Sequence, residues 1–332
     1  MIAENPYVKQ FPDMMAGKTI LYCHGFASSG QSGTVERLRT VMPQARVIAP
    51  DLPVHPAEAM SLLRDICRQE QPDLIIGTSM GGMYTEQLYG YDRIVVNPAF
   101  QIADTMASHG MMGQQEFFSP RKDGVQKFFV DKALQKEYKA CTEQNFSGVT
   151  ASEQRRVWGL FGDEDDLVDT FDLFCSHYPQ AAHFHGGHRM NDHIFIHNLL
   201  PLIRRIDDLQ AHRERPVIFI GIETLVDGHG AATASAQKAF LQLQENYQVY
   251  IVAPSPTNHP SYPEEVIRQA VAYYDSPAHD RVIFTNQRHL LYGDFLVADA
   301  PCDEFLGTTI EWRSSDFKTW EEIIVYFERL IG

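Results

Sequence analysis

The chain has 332 residues, 44% of them hydrophobic and 21% charged, and a formal net charge of −15. That is enough apolar material for a buried core and more length than one domain of roughly 100 to 200 residues uses, while the charge repels nucleic acid and anionic membrane surfaces. No apolar run approaches the roughly 18 residues of a membrane span, and the MIAENPYVKQ start lacks the layout of a secretion signal, so the expectation is a soluble, cytoplasmic protein without nucleic-acid partners.

Six short apolar runs come first: Thr19 to Cys23, Arg46 to Ala49, Leu74 to Ile76, Arg93 to Val96, Val157 to Phe161 and Ala182 to His185. Runs this short and continuous suit strands buried on both faces, and Gly33 to Met42, Ala57 to Glu70 and Gly81 to Tyr89 read as the helices between them. The alternation predicts an α/β fold with a parallel sheet, whose ligand crevice lies at the carboxyl ends of the strands. Gln101 to Arg156 interrupts it with a Met-, Gln- and Phe-rich stretch that offers no strand and reads as a helical cap, either a substrate-facing lid or a decoration. Cys23, Cys67, Cys141, Cys175 and Cys302 show no CxxC spacing, which predicts reduced, mostly buried thiols rather than a disulfide framework or a zinc site.

The helical stretch Ile194 to Ile203 ends in the charged run RRIDDLQAHRER. That run reads as a helix end plus a linker, which gives a first domain over residues 1–205, a linker over 206–215 and a second domain over 216–332. The first 215 residues carry a net charge of −6 and the rest −9, so an anionic substrate would need a specific local site in the smaller part.

The sharpest motif is Gly77-Thr-Ser-Met-Gly81, directly after a strand and before a helix. A serine on so tight a turn projects its hydroxyl from the sheet edge, and small neighbours let the chain bend. A serine hydroxyl needs a base, and a histidine base needs an acid to hold its tautomer. The Val157 to Phe161 strand leads into Gly162-Asp-Glu-Asp-Asp-Leu-Val168, where Asp165 is the first choice for the acid, with Asp163 and Asp166 as alternatives. The strand ending at His185 leads into Gly186-Gly-His-Arg-Met190, where His188 is the candidate base and His193 the fallback. His183, His185 and His193 lie close enough in sequence to suggest a metal, but no H-E-x-x-H or comparable spacing supports one, and His185 reads as a strand residue. His24-Gly25-Phe26 ends the first strand, so the N–H groups of Phe26 and Met80 are candidates for a two-donor oxyanion hole. His24 itself reads as structural. Ser28 and Ser29 are open to substrate contact or to loop capping.

Residues 19 to about 203, apart from 101–156, resemble the small α/β-hydrolase esterases of the YqiA/YcfP type. The likeness rests on HGF-x-SS, GTSMGG, the Asn97-Pro98 pair after the next strand and G-D-E before the acid. It implies hydrolysis of a carboxylic ester or thioester, with Ser79 as nucleophile, His188 as base and an aspartate near 165 as orienter, and it implies no cofactor. The histidine departs from the pattern by following Gly-Gly directly, without an intervening acidic residue.

Beyond Pro216 the reading is strand Val217 to Ile220, helix Ala234 to Glu245, strand Val249 to Val252, helix Pro263 to Tyr274, strands Val282 to Thr285 and Phe295 to Val297, and a closing helix Trp320 to Leu330. This part resembles the HAD superfamily, nearest to 5'-nucleotidases of the deoxyribonucleotidase kind, through PVIFIGIETLVD, VYIVAPSP-x-x-HPS and LLYGDFLVAD. Such phosphatases need an aspartate nucleophile, a second aspartate two residues on and magnesium. Here Gly221 and Glu223 hold those places, Ser255 stands near the hydroxyl position, Arg288 takes the lysine position, and Ala298 leaves Asp299 alone of the late acidic pair. Glu223 and Asp299 are weak metal candidates. The expectation is a catalytically inactive module used for packing, dimerisation into a homo-oligomer or ligand sensing. The rivals to a serine hydrolase are a magnesium-dependent phosphatase of the second part and a non-enzymatic ligand sensor.

Overall fold

The short apolar runs of the first unit, residues 1–211, become strands β1 (Thr19–Cys23), β2 (Arg46–Ile48), β3 (Leu74–Thr78), β4 (Arg93–Val96), β7 (Val157–Gly162) and β8 (Ala181–Phe184). They form one parallel sheet in the order β2-β1-β3-β4-β7-β8, the arrangement of an α/β-hydrolase. The computed structural model describes residues 2, 13–213, 215–227, 231–256, 258–274 and 280–331. The MIAENPYVKQ start, Ile2 apart, and Glu214 of the expected linker lie outside them.

Helices α1 (Gly33–Val41), α2 (Pro56–Glu70) and α3 (Met80–Glu86) connect the first four strands of the chain. Both faces of the sheet are covered, so Ile20, Leu21, Ile75, Ile76, Ile94 and Val95 are fully buried, as continuous apolar runs require. Strand register brings the carboxyl ends level: Cys23 pairs with Gly77, Thr78 with Val96, Val96 with Leu160 and Gly162 with Phe184. The loops after β1, β3, β4, β7 and β8 therefore emerge along one edge.

The insertion differs from the expected helical cap. Between α4 (Ile102–Ser108) and α5 (Lys132–Thr142) runs an antiparallel hairpin of β5 (Gly113–Glu116) and β6 (Lys127–Val130). The sequence GQQE carries no strand preference, and the hairpin pairs only with itself, so neither composition nor alternation revealed it. Asp131 caps α5 by accepting from the Leu134 N–H at 2.8 Å. The far end of the insertion is fastened to α3 through the buried Glu86 carboxylate, which accepts from Tyr178 Oη at 2.6 Å, Asn145 Nδ2 at 2.9 Å and the Phe146 N–H at 3.0 Å.

The expected linker also needs correction. After α6 (Phe171–Cys175), a short helical turn α7 (Asp192–Ile194) and a π turn over Phe195–Leu199, helix α8 runs over Leu200–Gln210, so residues 206–210 are helical. Charge misled here. Asp207 is fully buried, accepting from Lys18 Nζ at 2.6 Å and from the Met15 N–H at 3.2 Å.

The second unit, residues 212–332, holds a five-stranded parallel sheet of β9 (Val217–Gly221), β10 (Gln248–Ala253), β11 (Val282–Phe284), β12 (Phe295–Ala298) and β13 (Thr308–Glu311), in the order β11-β10-β9-β12-β13. Helices α9 (Ile222–Leu225), α10 (Ala234–Leu243), α11 (Tyr262–Tyr274) and α12 (Trp320–Ile331) accompany it. Neither α9 nor β13 was legible: α9 is a single turn, and β13, the polar edge run TTIE, lacks a continuous apolar core. No helix among the described residues is long and apolar enough to cross a membrane.

Candidate active site

Ser79 sits between β3 and α3 with φ 54° and ψ −120°, a left-handed conformation that costs a non-glycine residue free energy. Two glycines make the turn possible. A Cβ on Gly77 would lie 2.3 Å from the Gly81 carbonyl oxygen, and one on Gly81 would lie 1.9 Å from that of Cys23. The Ser79 N–H donates to the Val96 carbonyl at 2.9 Å, and its own carbonyl accepts from the Ala99 N–H at 3.0 Å, so the end of β4 and the loop that follows it hold the strained residue on both sides.

His188 meets Ser79 from the loop after β8. Its Nε2 is 2.9 Å from Ser79 Oγ, and its Nδ1 is 2.7 Å from Asp165 Oδ2. Asp165 Oδ1 accepts from the Leu167 and Val168 N–H groups at 2.9 and 3.0 Å. Burial pushes this carboxyl up, but the bonds from His188 and from those two N–H groups outweigh it and hold it below the usual carboxylate range. Its side chain is 2% exposed and that of His188 16%, so the pair is largely shielded from water.

The other acids and histidines stand apart from this chain of contacts. Asp163 accepts from the Gly186 N–H at 2.9 Å and faces His185 Nδ1 at 3.3 Å, which ties the two loops together. Asp166 is exposed. His193 is exposed and packs on His197, with ring centroids 4.4 Å apart. His185 lies one residue past β8, exposed, rather than within the strand, because the chain already turns at Gly186 (φ 154°). The His183 ring packs against Phe171 at a 30° tilt, with centroids 3.9 Å apart. Among the described residues no group of three or more His, Cys, Asp or Glu side chains converges as a metal site would.

The loop after β1 lies against the serine. A Cβ on Gly25 would be 3.3 Å from Ser79 Cβ and 3.8 Å from Oγ, and Phe26 lines the same pocket. Met80 opens α3, so its N–H belongs to the helix end that has no intrahelical acceptor. His24 is buried, its Nε2 accepting from the Leu52 N–H at 2.9 Å and its Nδ1 2.8 Å from the Gly25 carbonyl, which fixes a neutral ring with the proton on Nδ1. Burial brings its pKa down to about 4. Ser29 Oγ donates to Pro120 at 2.7 Å and accepts from the Gln31 N–H, whereas Ser28 faces the pocket.

Asn97 escaped the residue-by-residue reading. Buried at the end of β4 with φ 45°, it accepts from the Gly162 N–H at 2.7 Å and donates to the carbonyls of Gly187 at 3.3 Å and His188 at 3.2 Å. One amide thus links the strand beside Ser79 to both the acid loop and the histidine loop. The Asn-Pro pair was its only trace in the sequence.

These residues open onto a pocket of about 470 Å³, within the range of small-ligand sites. The insertion contributes Ile102, Thr105, Met111, Gln115, Phe118 and Ser119 to its wall. In the second unit the corresponding strand end is filled from within: Glu223 receives both terminal nitrogens of Arg288, at 2.7 and 2.8 Å, and its Oε1 lies 2.1 Å from where a Cβ on Gly221 would stand. A carboxylate so engaged is not free for a cation. Of the thiols, Cys23 and Cys67 are buried, while Cys175 is exposed, against the expectation that most would be buried.

Among curated proteins, the chain is 24% identical over 101 residues to a putative 5'(3')-deoxyribonucleotidase of Vibrio phage KVP40, covering 30% of this chain and 59% of that protein. Among solved structures, it is similar to α/β hydrolase domain-containing protein 10 from mouse, with 16% identity, 58% of this chain and 90% of that chain covered and a TM-score of 0.41. Est1E from Butyrivibrio proteoclasticus gives 14% identity, 60% and 88% coverage and 0.41. The esterase domain of a Rhodothermus marinus protein gives 19% identity, 53% and 80% coverage and 0.36. The family match falls on residues 19–193, the stretch that carries the serine elbow, the acid loop and the histidine, and more than half of the chain; the protein belongs to the uncharacterised protein family UPF0227.

Proposed function

We propose that the first unit is a serine hydrolase of small carboxylic esters or thioesters, acting through an acyl-enzyme. The observation that carries this reading is the unbroken line of contacts from Ser79 Oγ through His188 to Asp165. His188 Nε2 takes the hydroxyl proton as Ser79 Oγ attacks the acyl carbon, and Asp165 holds Nδ1–H and offsets the charge of the imidazolium. The carbonyl oxygen becomes an oxyanion, and the N–H groups of Met80 and Phe26 are the donors assigned to it. Collapse expels the alcohol or thiol, which takes the proton from His188. Water then repeats the sequence on the acyl-serine, releasing the acid and restoring Ser79. Asn97 is a positioning residue in this scheme, since it touches the loops of both partners rather than the reacting atoms.

The second unit takes no part in phosphoryl chemistry. A glycine at 221 offers no nucleophile, and Glu223 with Arg288 fills the space such a side chain would use. The test is labelling with an active-serine phosphonate: the natural chain is modified at Ser79, and Ser79→Ala is not. Labelling at another serine, or none at all, would remove the reading, and magnesium-dependent release of phosphate from a nucleotide would restore the phosphatase alternative.

A further inference from the structure

Ala27, like Ser79, is held in a conformation that a non-glycine residue enters at a cost. It is buried in the loop after β1 with φ 56°, and such a residue persists only where its surroundings over-determine it. The residue before it is Phe26, whose N–H is a donor assigned to the oxyanion. What holds this loop comes from the insertion, and from the segment between β5 and β6 rather than from the two strands.

The ties follow one another along the loop. The Phe118 N–H donates to the Ala27 carbonyl at 2.7 Å, and Ser29 Oγ donates to the Pro120 carbonyl at 2.7 Å. Asp51 accepts from the Lys122 N–H at 2.6 Å with one oxygen and from the Gly30 N–H at 2.8 Å with the other. Arg121 Nη1 donates to the Leu52 carbonyl at 3.0 Å, while the Leu52 N–H is the donor to His24 Nε2. His24 Nδ1 in turn donates to the Gly25 carbonyl at 2.8 Å. In a trans peptide the carbonyl and the next N–H point in opposite directions, so a Gly25 carbonyl drawn to His24 turns the Phe26 N–H away from that ring. Arg121 is itself fixed. It lies over the Phe117 ring, 4.5 Å from the centroid, bonds Asp123 through Nε and Nη2, and has a side chain only 7% exposed. The Phe26 ring meets Phe128 of β6 edge-on, with centroids 5.3 Å apart.

We infer that residues 117–122 set the shape of the oxyanion loop, with Arg121 and Asp51 as positioning residues. The insertion then has a role beyond lid or decoration: it fixes the backbone donor that meets the developing negative charge. Neither residue touches the reacting atoms, since Arg121 acts through Leu52 and His24, and Asp51 through Gly30. The catalytic part of this rests on the hydrolase reading; the mechanical hold of the hairpin on the loop does not.

Two measurements on the full chain separate those parts. Amide hydrogen exchange reads the mechanical one. Arg121→Met and Asp51→Ala are each expected to speed exchange over residues 24–30 by about tenfold or more, and Phe129→Ala, at an exposed position of the same hairpin, to leave it unchanged. Unchanged exchange in either of the first two variants, or equal acceleration in Phe129→Ala, would overturn the inference. The second measurement is hydrolysis of a chromogenic ester, with kcat expressed per site titrated by the phosphonate so that unfolded molecules do not count. Arg121→Met is expected to lower kcat by about tenfold or more while KM moves by less than about twofold. Asp51→Asn, which can still accept from one N–H, should lose less than Asp51→Ala. A trifluoromethyl ketone, whose adduct with Ser79 places an oxyanion in the hole, should weaken by the same factor as kcat, and the matching methyl ketone, which forms no such adduct, should bind unchanged. An unaltered kcat per titrated site, a KM raised as much as kcat is lowered, or equal weakening of both ketones would remove the positioning role. No phosphonate labelling of the natural chain would remove the hydrolase, and faster exchange in the two variants would then leave the hairpin's hold on the loop standing.

Discussion

Each unit places a glycine-flanked turn at the carboxyl end of a buried parallel strand, and the two turns have opposite fates. After β3, Gly77 and Gly81 surrender their side-chain space to the backbone of α3 and β1, so Ser79 is bent outward and its hydroxyl meets His188 over an open pocket. After β9, Gly221 surrenders its space to the Glu223 carboxylate, which Arg288 then holds with two bonds. In the first case the vacated volume exposes a reactive group; in the second it is filled by an ion pair that satisfies itself. A shared layered architecture therefore says little about chemistry, which is decided by what occupies a few cubic ångströms at a strand end.

The most severe way to break the comparison is to alter the acid. Asp165→Asn should keep the geometry and lower kcat by about 10⁴, because an amide favours the wrong histidine tautomer. Asp163→Asn, on the same turn, should cost far less, and steady-state kinetics on a chromogenic ester would separate the two. Because its bonds hold the Asp165 carboxyl below the ordinary range, it stays ionised between pH 5 and 8, and its contribution is lost only as pH falls through that depressed value. A limb of kcat/KM in that window therefore does not report Asp165, and Asp165→Asn should leave any such limb where it is.

Next comes Asn97→Ala. Losing the amide that joins the two loops should lower kcat by about 100-fold while KM moves little, since a misplacement on the order of 1 Å in reacting groups costs that much. Equal loss in both constants, or a collapse of the fold, would make Asn97 merely structural.

The buried loop histidine gives a smaller effect, on stability. The folded state lowers the His24 pKa from 6.5 to about 4, so above pH 6.5 the group contributes nothing to the pH dependence. As pH falls from 6.5 toward 4 the unfolded chain takes up a proton that the folded one refuses, and stability drops by roughly 3 kcal/mol in all. Denaturant titrations at pH 7 and 5 should show this, and His24→Gln should flatten it.

The smallest effect belongs to the second unit. Glu223→Gln should leave ester turnover unchanged and cost about 1 kcal/mol of stability at most, as befits a partly exposed pair. A gain of phosphatase activity in that variant would erase the contrast between the two turns.

How much of this was legible follows from the kind of signal each feature leaves. Ser79, Asp165 and His188 each stand on a glycine turn after a buried run, and strand runs with glycine turns are local patterns. Their order along the chain was also readable. The choice among Asp163, Asp165 and Asp166 was not, because it depends on which carboxylate the turn aims at an imidazole 23 positions from Asp165. The Asn97-Pro98 pair was visible as a motif, but the role of Asn97 was not, as its three partners lie 65 to 91 positions away. Asp207 misled in the opposite sense: its charge suggests solvent, and only the fold brings Lys18 to it across 189 positions.

The last turn of α8 has a practical meaning for anyone who wishes to study the two halves apart. Gln210 accepts from Lys18 Nζ at 3.0 Å and donates to the Asp73 carbonyl at 2.8 Å and to the Asp92 carboxylate at 2.7 Å, clasping the lead-in residues of three neighbouring strands. Severing the polypeptide after Arg205 would leave the Met15 N–H and Lys18 without Asp207 and those strands without their clasp. A version of the esterase-like half expressed alone should therefore end beyond Gln210.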